Sequence, residues 1–419
     1  MSTAVTESLA AVLSGRRTIK VRPVEAGPLP AAGAWLEVEA CGICGSDWSW
    51  YAEREIPAPF VPGHEMIGRI VAAWGDHGNA GFRPGARVAV EEALPCWSCA
   101  ECRRGRHRLC TRSTRYGGTA LSVAPALWGG FSRYTYLAPR TSAHDVPESL
   151  DAGLATLFIP VSNGLSWVRA AGRLEPGESV VVLGVGQHGL ASVAAARRCG
   201  AGLVAAVGRA GDEARLDAAA KLGADLVLDS GSGDWAAAVL DATGHRGADL
   251  LIDTTPGATG ILADAARCAA VGGRVVVAGL KHGASSPLPT DVLVRREIEV
   301  RGVAARQSWA IDAALGWLSH DPALFGAFSS VTTGLAGVEQ ALLALGGEAG
   351  GLRPVHAVVT PQRSLSRSRN LEASSDASHR ARSSACHRRP AAGGTRGGRA
   401  ALADARARLP HRRPGAGRP

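Results

Sequence analysis

The sequence predicts an α/β protein: a β-rich lobe, then a doubly wound parallel sheet, then a short return to mixed structure and a disordered tail. Three observations carry this. Residues 1–150 hold short apolar runs broken by Gly/Pro turns. Between 178 and 303, apolar strands alternate with Ala-rich helical segments. After Pro361 the apolar residues nearly vanish.

In the first lobe, Trp35–Val38, Ile67–Ala72 and Arg87–Val90 read as strands. The longest uncharged run, Ala152–Val168, contains Pro160, Ser162, Asn163 and Gly164 and reads as a buried connection. Ser179–Leu183 is a continuous apolar strand, and Gly189–Arg198 has helical spacing. Leu203–Val207, Leu226–Asp229, Leu250–Asp253 and Arg274–Ala278 continue as strands, with helices at Ala214–Leu222 and Ile261–Cys268. Val355–Thr360 is strand-like.

The chain has 419 residues and a formal net charge of +9. That charge is unevenly spread. Residues 362–419 hold fourteen Arg against Glu372, Asp376 and Asp404, a net +11, which leaves −2 for residues 1–361. The tail has four Leu and no Val, Ile, Phe, Trp, Tyr, Met or Lys, too little apolar surface to offset its ordering entropy. Its Arg/Ala/Gly/Pro/Ser bias suits an out-of-frame or read-through extension. Arg-rich segments bind phosphate backbones, but this one has no aromatic to stack on a base, so nucleic acid is not the expected partner. The first residues lack a basic segment followed by an apolar core, and no run of ~18 apolar residues exists to span a membrane. Nine Cys are too sparse for a disulfide scaffold. A reducing cytoplasm is expected.

Cys96, Cys99, Cys102 and Cys110 have the spacing C-x2-C-x2-C-x7-C, which suits one tetrahedral Zn2+. With every position a thiolate, no coordination site is left for a substrate, so this zinc is expected to be structural; two disulfides are the alternative. Arg103, Arg104, Arg106 and Arg108 either offset the thiolate charge or form a solvated loop. His107 is not needed as a ligand.

Gly184-Val185-Gly186-Gln187-His188-Gly189 is G-x-G-x-x-G, placed after an apolar strand and opening a helix, the context in which it binds a dinucleotide. The next strand ends in Gly208-Arg209, where NAD-specific sites carry Asp or Glu. Arg209 can pair with a 2′-phosphate, so NADP(H) is favoured over NAD(H), with Asp212 and Glu213 a few residues on as counter-indications.

Two further segments are Cys41-Gly-Ile-Cys44-Gly-Ser46-Asp47 and Gly63-His64-Glu65. With the four-Cys lobe, the glycine loop, Gly272-Gly-Arg-Val-Val-Val277 and the ending Arg353–Pro361, they resemble, in order and over residues 10–361, the zinc-dependent medium-chain dehydrogenase/reductase superfamily of alcohol, sorbitol and threonine dehydrogenases. The resemblance implies a GroES-like catalytic domain (1–160), a Rossmann domain (161–303), a return to the catalytic domain (304–361) and the tail (362–419). It implies Cys44 and His64 as catalytic zinc ligands, Glu65 as an acidic residue that can approach the metal, Ser46 as the hydroxyl that takes the substrate proton, and Asp47 as a carboxylate orienting an imidazole. Cys41 has no family role and reads as a small buried thiol. It also implies an alcohol or carbonyl substrate and a homo-oligomer, dimer or tetramer.

Two positions depart from the family. Ile159 stands where the polyol dehydrogenases place a Glu ligand before Pro. Either Cys44, His64 and Glu65 hold the metal with a water, or the catalytic zinc is weak or absent. Ser49 stands where a relay His is found in many alcohol dehydrogenases, so the proton is expected to leave through water. Trp48 and Trp50 either wall the substrate cleft or are core aromatics. The reaction expected is hydride transfer between an alcohol or polyol and NAD(P). The alternatives are a zinc-poor enone or quinone reductase on the same fold and a nucleic-acid-binding protein.

Overall fold

The computed structural model describes residues 5–77, 81–351 and 353–362. Apart from Gln362, the Arg-rich tail expected to be disordered lies outside the described residues.

The first strands form a hairpin, β1 (Glu7–Gly15) and β2 (Thr18–Glu25). β3 (Gly33–Gly42) leads through Cys44 into a helix, α1 (Gly45–Ala52). β4 (Glu65–Trp74) and β5 (Arg87–Val90) follow. β6 (Ala93–Leu94) and β7 (Thr114–Arg115) make a small ladder at the base of the four-Cys lobe, which contains α2 (Ala100–Arg103). β8 (Tyr134–Leu137) and β9 (Ala143–Asp145) complete this part of the chain.

The uncharged run after residue 151 is buried, as expected, but it is helical: α3 (Ala152–Ala155), α4 (Phe158–Leu165) and a wider-wound turn, Ser166–Ala171. All eight residues of α4 are buried, so its helix has no polar face to betray it. Pro160 is tolerated because the first turn of a helix leaves its N–H groups unused anyway.

Strands and helices then alternate: β10 (Ser179–Leu183), α5 (Gln187–Arg198), β11 (Leu203–Gly208), α6 (Glu213–Lys221), β12 (Leu226–Asp229), α7 (Trp235–Ala242), β13 (Ala248–Asp253), α8 (Ile261–Cys268), β14 (Ala269–Val277), α9 (Thr290–Arg296) and β15 (Glu299–Gly302). These strands form one parallel sheet in the order β12-β11-β10-β13-β14-β15. Counted from β10, that is 3-2-1-4-5-6, the dinucleotide-binding order, and its direction reverses between β10 and β13. Helices cover both faces, so β10 can be apolar throughout and buried at every residue. α4 lies tight on α5: a Cβ on Gly164 would come 2.6 Å from the Ala191 backbone.

The last segment contains α10 (Trp309–His320), α11 (Pro322–Phe325), β16 (Ser330–Thr333), α12 (Val338–Gly346) and β17 (His356–Val359). β17 pairs antiparallel with β3, which returns the chain to the first sheet, ordered β16-β17-β3-β4-β5-β9 with β8 also on β3. Domain boundaries drawn at 160 and 303 fall within α4 and just after β15. No helix among the described residues is long and apolar enough to cross a membrane.

Candidate active site

The metal-type cluster forms where β3 turns into α1 and where β4 begins. Gly42 of β3 pairs with Glu65 of β4, so Cys44 and the His64-Glu65 pair meet at one end of the sheet. One ligand atom from each of Cys44, His64 and Glu65 lies within 4.8 Å of the others. Asp47 orders them from behind. It is 2 % exposed; its Oδ2 accepts from the Cys44 N–H at 2.9 Å, and its Oδ1 lies 3.6 Å from His64 Nδ1. Ser46 is exposed, with its Oγ 3.5 Å from His64 Nε2.

Both carboxylate oxygens of Glu65 are buried without a hydrogen-bond partner, a costly state for a carboxylate. Burial pushes its pKa up to about 8, against the opposing charge of His64. Burial would lower the pKa of His64, but the Asp47 carboxylate outweighs it and holds His64 well above its ordinary value. An orphaned carboxylate beside a thiol and an imidazole is a donor set that a Zn2+ ion would satisfy. Ile159 is buried in the core of α4. Among the described residues, no fourth His, Cys, Asp or Glu joins the cluster.

The four cysteines of the lobe also converge, with their Sγ atoms within 4.8 Å of one another, and all are free thiols. The Cys96 Sγ accepts from the Cys99 N–H at 3.3 Å; a backbone contact from Ser98 leads the influences that lower its pKa to about 5. Of the two readings of the nearby arginines, Arg103, Arg104 and Arg106 follow the solvated loop. Arg104 and Arg106 pair with Glu101 and Arg103 with the Ser98 carbonyl, while Arg112 reaches the Cys96 Sγ at 3.5 Å. His107 packs tilted against Trp97, with centroids 4.2 Å apart.

The glycine loop lies at the C-terminal end of β10. Gly184 has φ +96°, and a Cβ on Gly189 would sit 1.8 Å from the Gly184 carbonyl oxygen. A Cβ on Gly186 would meet nothing within 4 Å, so this glycine faces open space at the N-terminus of α5, where a pyrophosphate fits. Val185 is buried against the sheet. Gln187 is 8 % exposed; its Oε1 lies 2.9 Å from His356 Nδ1, and its Nε2 has no partner. His188 stacks on Trp167 at 5.5 Å; burial, together with the charges of Arg306 and His64, lowers its pKa to about 4.

At the end of β11, Gly208 packs against Val185 and Leu216. Arg209 is 70 % exposed. Asp212 is nearly buried and shared by Arg209 at 4.0 Å, Arg215 at 4.0 Å and Arg353 at 3.8 Å. Three guanidinium groups thus face one carboxylate. Burial, and then Arg353, lowers the pKa of Arg215 to about 10.

Several site residues were not foreseen from sequence. Glu92 and Arg306 form a buried bidentate pair. Burial opposes the ionisation of Glu92, but the Arg306 charge holds its pKa down at about 2. Asp253, fully buried at the end of β13, pairs with Lys281 at 2.8 Å beside the sheet's switch point. Arg215 and Arg353 belong here too; a lone Arg in a helix or near a terminus carries no signal of its own. Trp48 and Trp50 pack as core aromatics: Trp48 against Gly346, and Trp50 edge-on to Phe60 at 5.6 Å. Cys41 is fully buried, as expected.

The family described as "Alcohol dehydrogenase GroES-like domain" matches residues 31–148, and "Zinc-binding dehydrogenase" matches residues 184–320. The probable alcohol dehydrogenase adh of Mycobacterium tuberculosis is 38% identical over 361 residues, 84% of this chain and 98% of the relative. The chain belongs to the zinc-type medium-chain dehydrogenase/reductase superfamily. Sorbitol dehydrogenase of Bacillus subtilis is 30% identical over 299 residues, 70% of this chain and 81% of that one. Among solved structures, alcohol dehydrogenase TADH from Thermus sp. ATN1 superposes with a TM-score of 0.74 at 26% identity, over 84% of this chain and 99% of that one. The superfamily fixes the class of activity: this medium-chain dehydrogenase/reductase is a zinc-containing, alcohol dehydrogenase-like oxidoreductase. Neither the enone reductase nor the nucleic-acid reading finds support among these relatives.

Proposed function

We propose that this dehydrogenase interconverts an alcohol or polyol and its carbonyl compound, with Cys44, His64 and Glu65 holding a catalytic zinc and NADP(H) as the preferred nucleotide. The observation that carries the reading is the partnerless, buried Glu65 carboxylate beside Cys44 and His64. A zinc bound there would supply Lewis acidity to the substrate oxygen, and the nucleotide a hydride acceptor.

The chain's own residues set up the rest. Asp47 fixes the orientation of His64 and of the Cys44 backbone. Ser46 stands beside His64, placed to take the alcohol proton. Gly184, Gly186 and Gly189 bring the N-terminus of α5 to the pyrophosphate. His188, held neutral against Trp167, adds no charge that would repel an oxidised nicotinamide. Three guanidinium groups lie 3.8–4.0 Å from the single Asp212 carboxylate, and this excess positive charge favours a 2′-phosphate. Cys96, Cys99, Cys102 and Cys110, whose Sγ atoms converge, would hold a second, structural zinc. We also assign a homo-oligomer: among the described residues β15 ends its sheet, and Val271 of β14 and Val294 of α9 are exposed.

The test is a panel of alcohols, polyols and ketones with NADP(H) and NAD(H) on zinc-loaded protein, followed at the nicotinamide absorbance. Turnover with NADP(H), lost in Cys44→Ala, is expected. A panel that yields no turnover refutes the proposal.

A further inference from the structure

We propose that Ser49, Glu53 and His282 form the path by which the alcohol proton leaves the site; this rests on the dehydrogenase reading above. Ser46 and Ser49 lie three residues apart on α1 and so on one helix face, a spacing that puts the two Cβ atoms roughly 5–6 Å apart. The proposed path places one water between the two hydroxyls. Ser46 opens to the cleft, whereas Ser49 is 7 % exposed. A hydroxyl so buried needs an acceptor, and the Ser49 Oγ donates to Glu53 Oε2 at 2.7 Å. The same oxygen lies 3.7 Å from His282 Nδ1, and both of these side chains reach solvent, at 47 % and 41 % exposure.

His282 comes from the other half of the molecule. It follows β14 and sits in the left-handed region at φ +53°. The residue before it, Lys281, is pinned to Asp253 at the end of β13. The Glu53–His282 pair therefore joins the helix that carries Ser46 to the rim of the dinucleotide crevice. Neighbouring charges do not compete for it: Arg16 donates to the Ala52 carbonyl at 2.9 Å, and Arg54 lies over the Trp50 ring at 4.7 Å. Among the described residues, His282 is the ion-pair partner that the structure gives Glu53. Asp47 offers no rival exit, because it is 2 % exposed and already accepts from Cys44 and Gly63.

The balance is simple. The alcohol C–H electron pair departs as hydride to the nicotinamide, the O–H bond breaks, and a C=O bond forms. The proton passes to the Ser46 Oγ as Ser46 gives its own to the water. The water protonates the Ser49 Oγ, Ser49 gives its proton to the Glu53 carboxylate, and Glu53 with His282 delivers it to bulk water. Glu53 and His282 act through the serines and touch no reacting atom; they are positioning residues.

The test uses the full-length, zinc-loaded protein with Glu53→Ala, Glu53→Gln and His282→Asn, an αL-tolerant replacement. Alcohol oxidation is measured across pH, in D2O, and with added imidazole as an external base. For Glu53→Ala, kcat should fall ~10–100-fold, with the alcohol KM and NADPH binding within about twofold, and imidazole should restore most of the loss. His282→Asn should shift the pH profile and raise the solvent isotope effect. Wild-type turnover with unchanged kcat and pH profile in Glu53→Gln, or a loss that imidazole does not restore, overturns the proton path alone. A wild type that turns over no alcohol overturns the dehydrogenase reading and the path with it.

Discussion

Nucleotide choice turns on Arg209, and its removal is a clean perturbation. The side chain is 70 % exposed, and its nearest carboxylate, Asp212, is 4.0 Å away and also held by Arg215 and Arg353. Arg209→Ala should therefore leave folding within about 0.5 kcal/mol of the parent. Against a 2′-phosphate the change is larger. A hydrogen bond to a charged group contributes about 1.5–3 kcal/mol, and each 1.4 kcal/mol is a factor of about ten. The KM for NADP should rise roughly 10- to 150-fold, while that for NAD, which presents a ribose hydroxyl, should move less than about threefold. Steady-state kinetics with both nucleotides at saturating alcohol, beside a urea melt, measures all three quantities. Equal shifts for the two nucleotides, or none for NADP, would refute the assignment of this cluster to the 2′-phosphate.

Three other outcomes are expected. Arg306→Ala should destabilise the fold by about 3–5 kcal/mol, because it leaves Glu92 buried and unpaired; Arg306→Met with Glu92→Leu should recover most of this in a denaturant melt. Because Arg306 depresses the folded pKa of Glu92 to about 2 from 4.5, its contribution is full above pH 4.5 and is lost as the pH falls towards 2, so the acid limb of an unfolding-versus-pH curve should flatten in the double variant. Metal analysis should find two zinc per chain, falling to one in Cys44→Ala and, separately, to one in Cys102→Ser; a count of one in the parent would remove the catalytic metal. A chain ending at Pro361 should match the full chain in melting temperature and kcat, and a loss of either would give the Arg-rich tail a role.

The alternation of the dinucleotide sheet was readable where its strands are apolar and its crossover helices Ala-rich: Leu226–Asp229 and Ile261–Cys268 fall where the pattern puts them, whereas β15, half charged, and α9, without a single Ala, gave no such signal. α4 was not, since an eight-residue helix buried on every side carries no polar stripe to reveal its period. The same asymmetry runs through the site. Cys44, Ser46, His64, Glu65 and the lobe cysteines stand in short local motifs, where sequence spacing is spatial spacing. Partners that the fold brings from far away have no such signature. Arg306 finds Glu92 across 214 positions of chain, and His356 finds Gln187 across 169.

Ser49 shows how the two kinds of information combine. Along the chain it registers only as an absent imidazole. Spatial packing supplies the replacement: a buried hydroxyl that must donate, a Glu one turn on, and a His delivered by the opposite domain. A position that looks like a loss in one dimension has a hydrogen-bonded carboxylate and a nearby imidazole in three. The consequence is specific to this chain: on the proposed path its proton exit depends on contact between the two halves of the molecule. Removing the contact by His282→Gly should then slow alcohol oxidation, and added imidazole should restore the rate. A loss that imidazole does not restore would argue that His282 only holds the halves together.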